Sequence, residues 1–462
     1  MSTPTTLHLG LFFDGTGNHV ANACNDDASN IAKLHALYPN RPGQRHLSLY
    51  IEGIGTRQDQ ADSLFAMATG RGALGWDARI GQARDGICRA VEGWLTDWQT
   101  QHPHQPIDCL QFDLFGFSRG AACARHLAND LCAGHEGLTA QALMAGARVQ
   151  RNGPLTLRIG FMGLFDTVAS VIGSAPQLQL RDGMARRIVH LVARDEHRYH
   201  FPLSSAGPWD VPVPGAHADV GGGYPPQMQE RLLLTRPDSS HIPPGQPLDS
   251  AASYQRSVQR LQELQAAQPN LGFACQVSTW TTNHCSPGRG DRIESVQVHA
   301  AVEGHRQVDN DLSRVYLQIM HRLAVADGVA LLALPDHPLP PPLSAIAAKL
   351  MSYVEARCVE GRSTGDNSAA DSSSADNAAA DSSKAGTSTH ARSIDERITQ
   401  QRSPDERSAD DSLSDDQHAL LYRQYIHHSS HWSVEGPGQT SDLEARFIHS
   451  PEPTAKRRTL LA

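Results

Sequence analysis

The segment of this 462-residue chain best suited to covalent chemistry is Gly116-Phe117-Ser118-Arg119-Gly120. A serine flanked by glycines, after an apolar run and before a helix-forming one, has the spacing of a nucleophile elbow. The glycines permit a sharp turn and a close approach of helix to strand. The turn lifts the serine oxygen clear of the backbone at a helix N-terminus, whose partial positive charge suits a developing oxyanion. A hydroxyl is a weak nucleophile until a base removes its proton, so Ser118 needs a histidine and a carboxylate to orient it. In folds built on such an elbow the order along the chain is serine, acid, histidine. Asp166 closes the apolar run Gly163-Leu164-Phe165 and fits the acid; His217, in a glycine-rich loop further on, fits the base. There are 24 histidines, and His299 and His427 compete with His217. Asp219, two residues after His217, either supports that histidine or orients it in place of Asp166. A capping serine, a helix-capping Asp166 and a structural loop histidine are the plainer readings of the three positions.

The oxyanion hole is expected from the backbone N–H of Arg119 and a donor at Gly15 or Thr16, within Phe13-Asp14-Gly15-Thr16-Gly17-Asn18. Asp14 with Thr and Asn neighbours is also compatible with a hard cation, and a structural turn is the third reading. No GxxxxGK[ST] phosphate loop occurs, and Gly221-Gly222-Gly223 lacks the spacing of a dinucleotide fingerprint. No metal and no cofactor is expected.

These residues need strands that end on them. His8–Phe13, His46–Ile54, Ile107–Phe115, Leu155–Phe165 and Trp209–Val213 read as strands. Ile80, Ala83, Ile87, Val91, Trp94, Leu95 and Trp98 fall on one helical face, and Ala121–Cys132 reads as the helix after the elbow. Met184–Ala193 is expected to be helical, as are Ala251–Ala267, Leu312–Ala326 and Ala419–Ile426. Alternating strands and helices predict an α/β sandwich with a mainly parallel sheet flanked by helices.

Composition sets the domain plan. The chain is 39% hydrophobic with a net charge of −9, which argues against a nucleic-acid partner. No apolar run reaches membrane-spanning length, and Met1–Gly10 lacks the basic and apolar regions of a signal peptide. The eight cysteines form no CxxC pair and are expected to be reduced thiols. The polar excess lies in 361–416, a Ser/Ala/Asp-rich stretch with aspartates 366, 371, 376 and 381 five residues apart. That spacing does not return to one helical face, so the stretch reads as a disordered acidic linker. Residues 1–360 are then one catalytic domain with an insertion at 225–290, and 417–462 are a short tail able to pack back on the core.

Four motifs occur in order: LFFDGTGN, GFSRGAACARHLAND, FMGLFDTVAS and VPGAHADVGGGY. Together they resemble the α/β-hydrolase domain of the bacterial type VI secretion phospholipase effectors, the Tle lipase effector group. YIEGIGT, ARDEHRYHF, VHAAV and YIHHS resemble further segments of that family, the last with His428 where an acidic residue is more usual. The resemblance covers most of residues 8–335 and part of the tail. It implies a serine esterase cleaving glycerophospholipid acyl chains, with Ser118 as nucleophile, Asp166 as orienter and His217 as base. It also implies a membrane phospholipid substrate, a secretion-spike carrier, a neutralising immunity protein, and delivery from the cytoplasm into a rival cell's periplasm. The chain is shorter than members with a dedicated membrane-docking region, so a lid within 225–290 is the expected substitute. Two other readings stand beside this one. An intracellular carboxylesterase would act on small soluble esters but not on vesicles. A non-catalytic binding module of the same fold would leave Ser118 unlabelled by serine-directed phosphonates.

Overall fold

A computed structural model describes residues 5–16, 18, 26–40, 45–53, 76–102, 107–149, 155–169, 176–269, 271–284, 295–366, 412–432 and 460–461. Its centre is a six-stranded sheet. The strands are β1 (Thr6–Phe13), β2 (His46–Ile51), β3 (Cys109–Phe117), β4 (Thr156–Phe165), β5 (Ala185–Ala193) and β7 (Asp210–Val213). They lie in the order β2-β1-β3-β4-β5-β7, and every pairing is parallel. The order reverses direction between β1 and β3, where ligand sites of open parallel sheets form at the carboxyl ends of the strands.

Helices cover both faces, so the sheet is buried on both sides. On one face lie α2 (Trp76–Gln101), α3 (Arg119–Cys132) and α4 (Leu138–Val149). The indoles of Trp94 and Trp98 on α2 and Leu127 on α3 meet Leu7, Leu9, Leu110, Phe112 and Leu114 of the strands. On the other face lie α1 (Asn30–Leu37), α7 (Asp311–Ala326), α8 (Pro341–Asp366) and α9 (Asp415–Gln424). There Phe12, Phe115 and Phe161 meet Ile31, Tyr316, Met320, Leu350 and Leu421. Successive strand residues point to opposite faces, so Leu114 and Phe115 enter different cores. The rings of Phe12 and Phe115 stack with centroids 5.0 Å apart.

Within Met184–Ala193 the residues Ala185–Ala193 form a strand, β5, not a helix. Its apolar residues sit at spacings that also suit a helix. β-branched Ile188, Val189 and Val192 fit a pleated surface, and β4 and β7 hold it on either side. A strand buried on both faces gives a near-continuous apolar run, which periodicity alone does not separate from a helix.

The segment read as an insertion is part of an antiparallel layer that continues to residue 309. Long β11 (Ser295–Asp309) pairs with β10 (Ala274–His284) along one edge. Along the other it pairs with β8 (Gln227–Leu233) and β9 (Asp238–Ile242). Helix α6 (Ala252–Ala267) lies on this sheet. A small core of Ile242, Ala251 and Val298 is shared by the loop into α6, β9 and β11. Two short strands, β6 (Leu203–Ser204) and β12 (Leu460–Leu461), pair in parallel. Helix α8 runs through Asp366 and α9 opens at Asp415, so helix covers both ends of the 361–416 stretch. Residues 367–411, most of the expected linker, lie outside the described residues. Between β7 and β8, α5 (His217–Gly221) is a single turn. Among the described residues no helix is long and apolar enough to cross a membrane.

Candidate active site

Ser118 stands between β3 and α3 with φ 58° and ψ −125°. A side chain at positive φ costs about 1–3 kcal/mol, which persists only where the surroundings over-determine the turn. Two glycines do so here. A Cβ on Gly116 would lie 2.5 Å from Cα of Ala121, and one on Gly120 would lie 2.2 Å from the carbonyl oxygen of Phe13. The strand–turn–helix unit thus closes on itself and on the end of β1. The Ser118 N–H donates to the carbonyl of Phe165 at 3.0 Å, tying the elbow to the end of β4.

Asp166 follows directly and repeats the strain, with φ 42°. Ser118 and Asp166 are the two non-glycine residues at positive φ among those described. They occupy equivalent positions at the ends of neighbouring strands. Fully buried, Asp166 accepts the Ala193 N–H on Oδ1 at 2.9 Å and pairs through Oδ2 with Nδ1 of His217 at 2.5 Å. His217 opens α5, and its ring packs against Phe117 and Phe201, centroids 4.6 and 5.1 Å away. Phe117 precedes Ser118, so the histidine paired with Asp166 lies against the strand that ends at Ser118. Burial lowers the His217 pKa below the ordinary histidine value, and Asp166 opposes that shift. The result is a neutral imidazole at neutral pH, with its proton on Nδ1 toward the carboxylate and Nε2 left as acceptor.

The two rival histidines are engaged elsewhere. His299, on β11, stacks on Trp280 and lies 2.9 Å from the Thr282 hydroxyl. His427 pairs with Asp219, Nδ1 to Oδ1 at 2.6 Å. Asp219 therefore serves a second histidine, and the partner of His217 is Asp166.

The loop after β1 approaches the elbow, but its two candidate donors are not equivalent. The Gly15 N–H already donates to Oδ1 of Asp14 at 2.7 Å. That N–H would have to give up or share this bond to serve an oxyanion, which sets Gly15 behind Thr16 as the candidate second donor. The hydroxyl of Thr16 has no hydrogen-bond partner among the described residues. Arg119 is the first residue of α3, and N–H groups in the first helical turn have no intrahelical acceptor. Arg119 and Thr16 are thus the favoured donor pair. Gly15 keeps a steric part: a Cβ there would lie 2.6 Å from the Phe117 ring. Asp14 accepts from Ser29 at 2.6 Å and from the Tyr50 hydroxyl, which holds the loop against α1 and β2. Its carboxylate is used in this way, and the described residues contain no cluster of three or more His, Cys, Asp or Glu suited to a metal.

Some supporting residues have no role assigned from sequence, although Glu196 and Arg198 lie in the segment ARDEHRYHF. His190, on β5, accepts the Thr167 N–H on Nε2 at 3.0 Å, and its Nδ1 lies 2.6 Å from Asp210. The pair braces the residue after Asp166. Its one signal is a histidine inside the apolar run Ile188–Ala193. Buried Glu196 accepts the His217 N–H at 3.3 Å and binds the Arg198 guanidinium through both oxygens at 2.8–2.9 Å. Arg198 in turn sits 3.4 Å over the ring of Phe201.

Comparison with known proteins follows the same lines. Residues 8–140 match the family described as T6SS, phospholipase effector Tle1-like, catalytic domain. That stretch contains Ser118 and ends before Asp166 and His217. No curated protein sequence matches the chain. Among solved structures, the Tle1 effector bound to the VgrG spike of the type 6 secretion system superposes with a TM-score of 0.65 at 23% identity. The match covers 94% of this chain and 86% of that one. An uncharacterized protein from Pseudomonas aeruginosa matches with a TM-score of 0.42 at 20% identity, over 78% of this chain and 53% of that one. The chain has an α/β-hydrolase-like fold and resembles the type VI secretion phospholipase effectors, by sequence over residues 8–140 and by fold over most of its length.

Proposed function

We propose that this protein is a serine lipase that hydrolyses acyl esters of glycerophospholipids and acts as an antibacterial effector of type VI secretion. The observation that carries the reading is the Ser118, Asp166 and His217 arrangement at the carboxyl edge of the parallel sheet, two of the three residues held at positive φ. Ser118 attacks the ester carbonyl while His217 Nε2 takes its proton. Asp166 stabilises the imidazolium that forms and holds the ring's tautomer. The N–H of Arg119 and a donor at Thr16 bind the oxyanion. His217 then returns the proton to the leaving alcohol, and water, activated by the same histidine, releases the fatty acid. Phe117 and Phe201 pack against the imidazole and lend the pair an apolar surrounding.

The match to an effector solved on its VgrG spike supports a spike carrier for this chain too. A membrane phospholipid substrate, a cognate immunity protein and a periplasmic site of action belong to the same proposal. Fatty-acid release from phosphatidylethanolamine and phosphatidylglycerol vesicles tests it. The unaltered protein is expected to release fatty acid, and Ser118→Ala to lose the activity while keeping its circular dichroism. Retained hydrolysis by Ser118→Ala would overturn the mechanism. Activity on short soluble esters with none on vesicles would overturn the phospholipid substrate.

A further inference from the structure

The loop that carries His217 is held from outside the parallel sheet. Glu196, which accepts the His217 N–H, also accepts the Ser429 hydroxyl on Oε1 at 2.9 Å. Asp219 accepts the Ala216 N–H at 2.9 Å and the His427 N–H at 3.0 Å on Oδ2, and pairs with the His427 ring through Oδ1. The N–H groups of Ala216 and His217, where α5 begins, are thus fixed by two buried carboxylates whose remaining partners include residues 427–429. That segment is itself anchored. Arg306 donates to the carbonyl of Ile426 at 2.7 Å, and the His428 N–H donates to Glu230 at 2.8 Å. The Tyr224 ring stacks on His427 at 3.8 Å.

We propose that Glu196 and Asp219 are positioning residues for His217 and that residues 427–429 complete them, so that the segment at 412–432 belongs to the catalytic machinery. The inference rests on the serine-esterase reading above. A buried carboxylate that loses a donor is left under-solvated and re-forms its bonds elsewhere. The first bonds at risk are those to the Ala216 and His217 amides. A displacement of about 1 Å at a catalytic group can cost on the order of 10²-fold in rate.

The charged groups around His217 are Asp166 from the turn after β4, Glu196 and Arg198 from the loop after β5, and Asp219 on its own helix with His427 beyond it. Asp166 and Glu196 favour the imidazolium and Arg198 opposes it. Neutralising Glu196 therefore moves the acid limb of the rate profile to lower pH, a change that loosened packing does not predict.

The test uses the full-length protein, a soluble p-nitrophenyl ester for kcat and KM across the acid range, and a fluorophosphonate for the labelling rate of Ser118. Glu196→Gln is expected to lower kcat by at least about tenfold with KM nearly unchanged, and to shift the acid limb downward. Ser429→Ala, which removes one tail hydroxyl and leaves the core intact, is expected to lower kcat and labelling rate by about threefold to tenfold, with Ser429→Thr restoring them. If Glu196→Gln does not fold, Ser429→Ala decides. A Ser429→Ala protein with unaltered kcat and labelling, or a Glu196→Gln protein with an unmoved acid limb, overturns the proposal. An unaltered protein that hydrolyses no ester and takes no label overturns the serine-esterase reading itself, and the positioning role with it.

Discussion

His217 and Asp219 stand two residues apart on a single turn of helix, and each belongs to a buried histidine–carboxylate pair. The pairs His217–Asp166 and His427–Asp219 are alike in chemistry and nearly alike in length, at 2.5 and 2.6 Å. They differ in where the carboxylate comes from. Asp166 ends a strand beside the nucleophile's strand and is held at positive φ. Asp219 lies in the loop's own helix and binds a histidine delivered by the tail. The surroundings of the rings differ as well. His217 is packed by Phe117 of the elbow strand, whereas His427 is covered by Tyr224 and its Nε2 has no partner among the described residues. A histidine–carboxylate pair therefore does not by itself single out a candidate base. His217 is singled out by its place against Phe117 and Asp166, at the ends of the strands beside Ser118.

The sharpest way to break the comparison is to remove each ring in turn. His217→Gln is expected to lower kcat by roughly 10³–10⁴-fold, whereas His427→Gln lowers it by about tenfold through a displaced loop. Ester hydrolysis by the two purified variants measures the ratio, and equal losses would erase the distinction between the pairs. The carboxylates give the next test. Asp166→Asn leaves the ring in the wrong tautomer, for an expected loss of roughly 10³–10⁴-fold. Asp219→Asn should cost about ten- to a hundredfold, with a KM close to that of the unaltered protein. Thr16→Val removes a hydroxyl but not the backbone N–H. A loss of up to about 10²-fold in kcat would assign the oxyanion bond to the side chain, and no loss would assign it to the amide.

The smallest effect is on pH. Only the neutral imidazole is a base, and burial lowers the His217 pKa. Activity is thus present above that lowered value and lost as pH falls through it, so the acid limb of kcat/KM should lie below the ordinary histidine value of about 6.5. A limb above that value would mean that Asp166 outweighs burial at this site.

A second buried acid sharpens the contrast through stability. Asp113, inside β3, accepts the Tyr38 hydroxyl at 3.0 Å, and burial pushes its pKa up to about 6. A carboxyl whose folded pKa is raised favours the folded state while protonated. Stability should therefore fall between about pH 4 and pH 6, by a few kcal/mol at most, and Asp113→Asn should flatten that slope. Urea midpoints across this range measure it. Asp166 accepts an N–H and pairs with an imidazole, whereas Asp113 accepts a phenol, and burial outweighs that bond.

Much of the candidate site was legible because its signals are local. The elbow needs glycines on both sides of Ser118, and Asp166 and His217 follow apolar runs that end abruptly. What escaped was set by contacts distant in sequence. The helical spacing of apolar residues in Met184–Ala193 could not reveal that β4 and β7 would flank it. His190 and Asp210 acquire a role only because β5 and β7 are neighbours. The antiparallel layer joins β8 to β11 across more than 60 residues, and polar alternating segments there resemble an irregular insertion. Gly15 looked as good a donor as Thr16 because composition does not show that Asp14 folds back on its own neighbour's N–H.

By itself the sequence determined the elbow at Ser118, the alternation of strands and helices over most of the sheet, and the candidate order of serine, acid and histidine, because these depend on turns and runs a few residues long. The tertiary structure alone decided which histidine faces which carboxylate. Asp219 stands two residues from His217 in the chain and Asp166 fifty-one, yet it is Asp166 that meets the His217 ring, at the turn where β3 and β4 end side by side. It also decided that residues 427–429, some 210 positions after His217, close the bonds around its loop. Buried carboxylates must be satisfied by whatever donors the fold brings to them, and no spacing along the chain encodes that proximity.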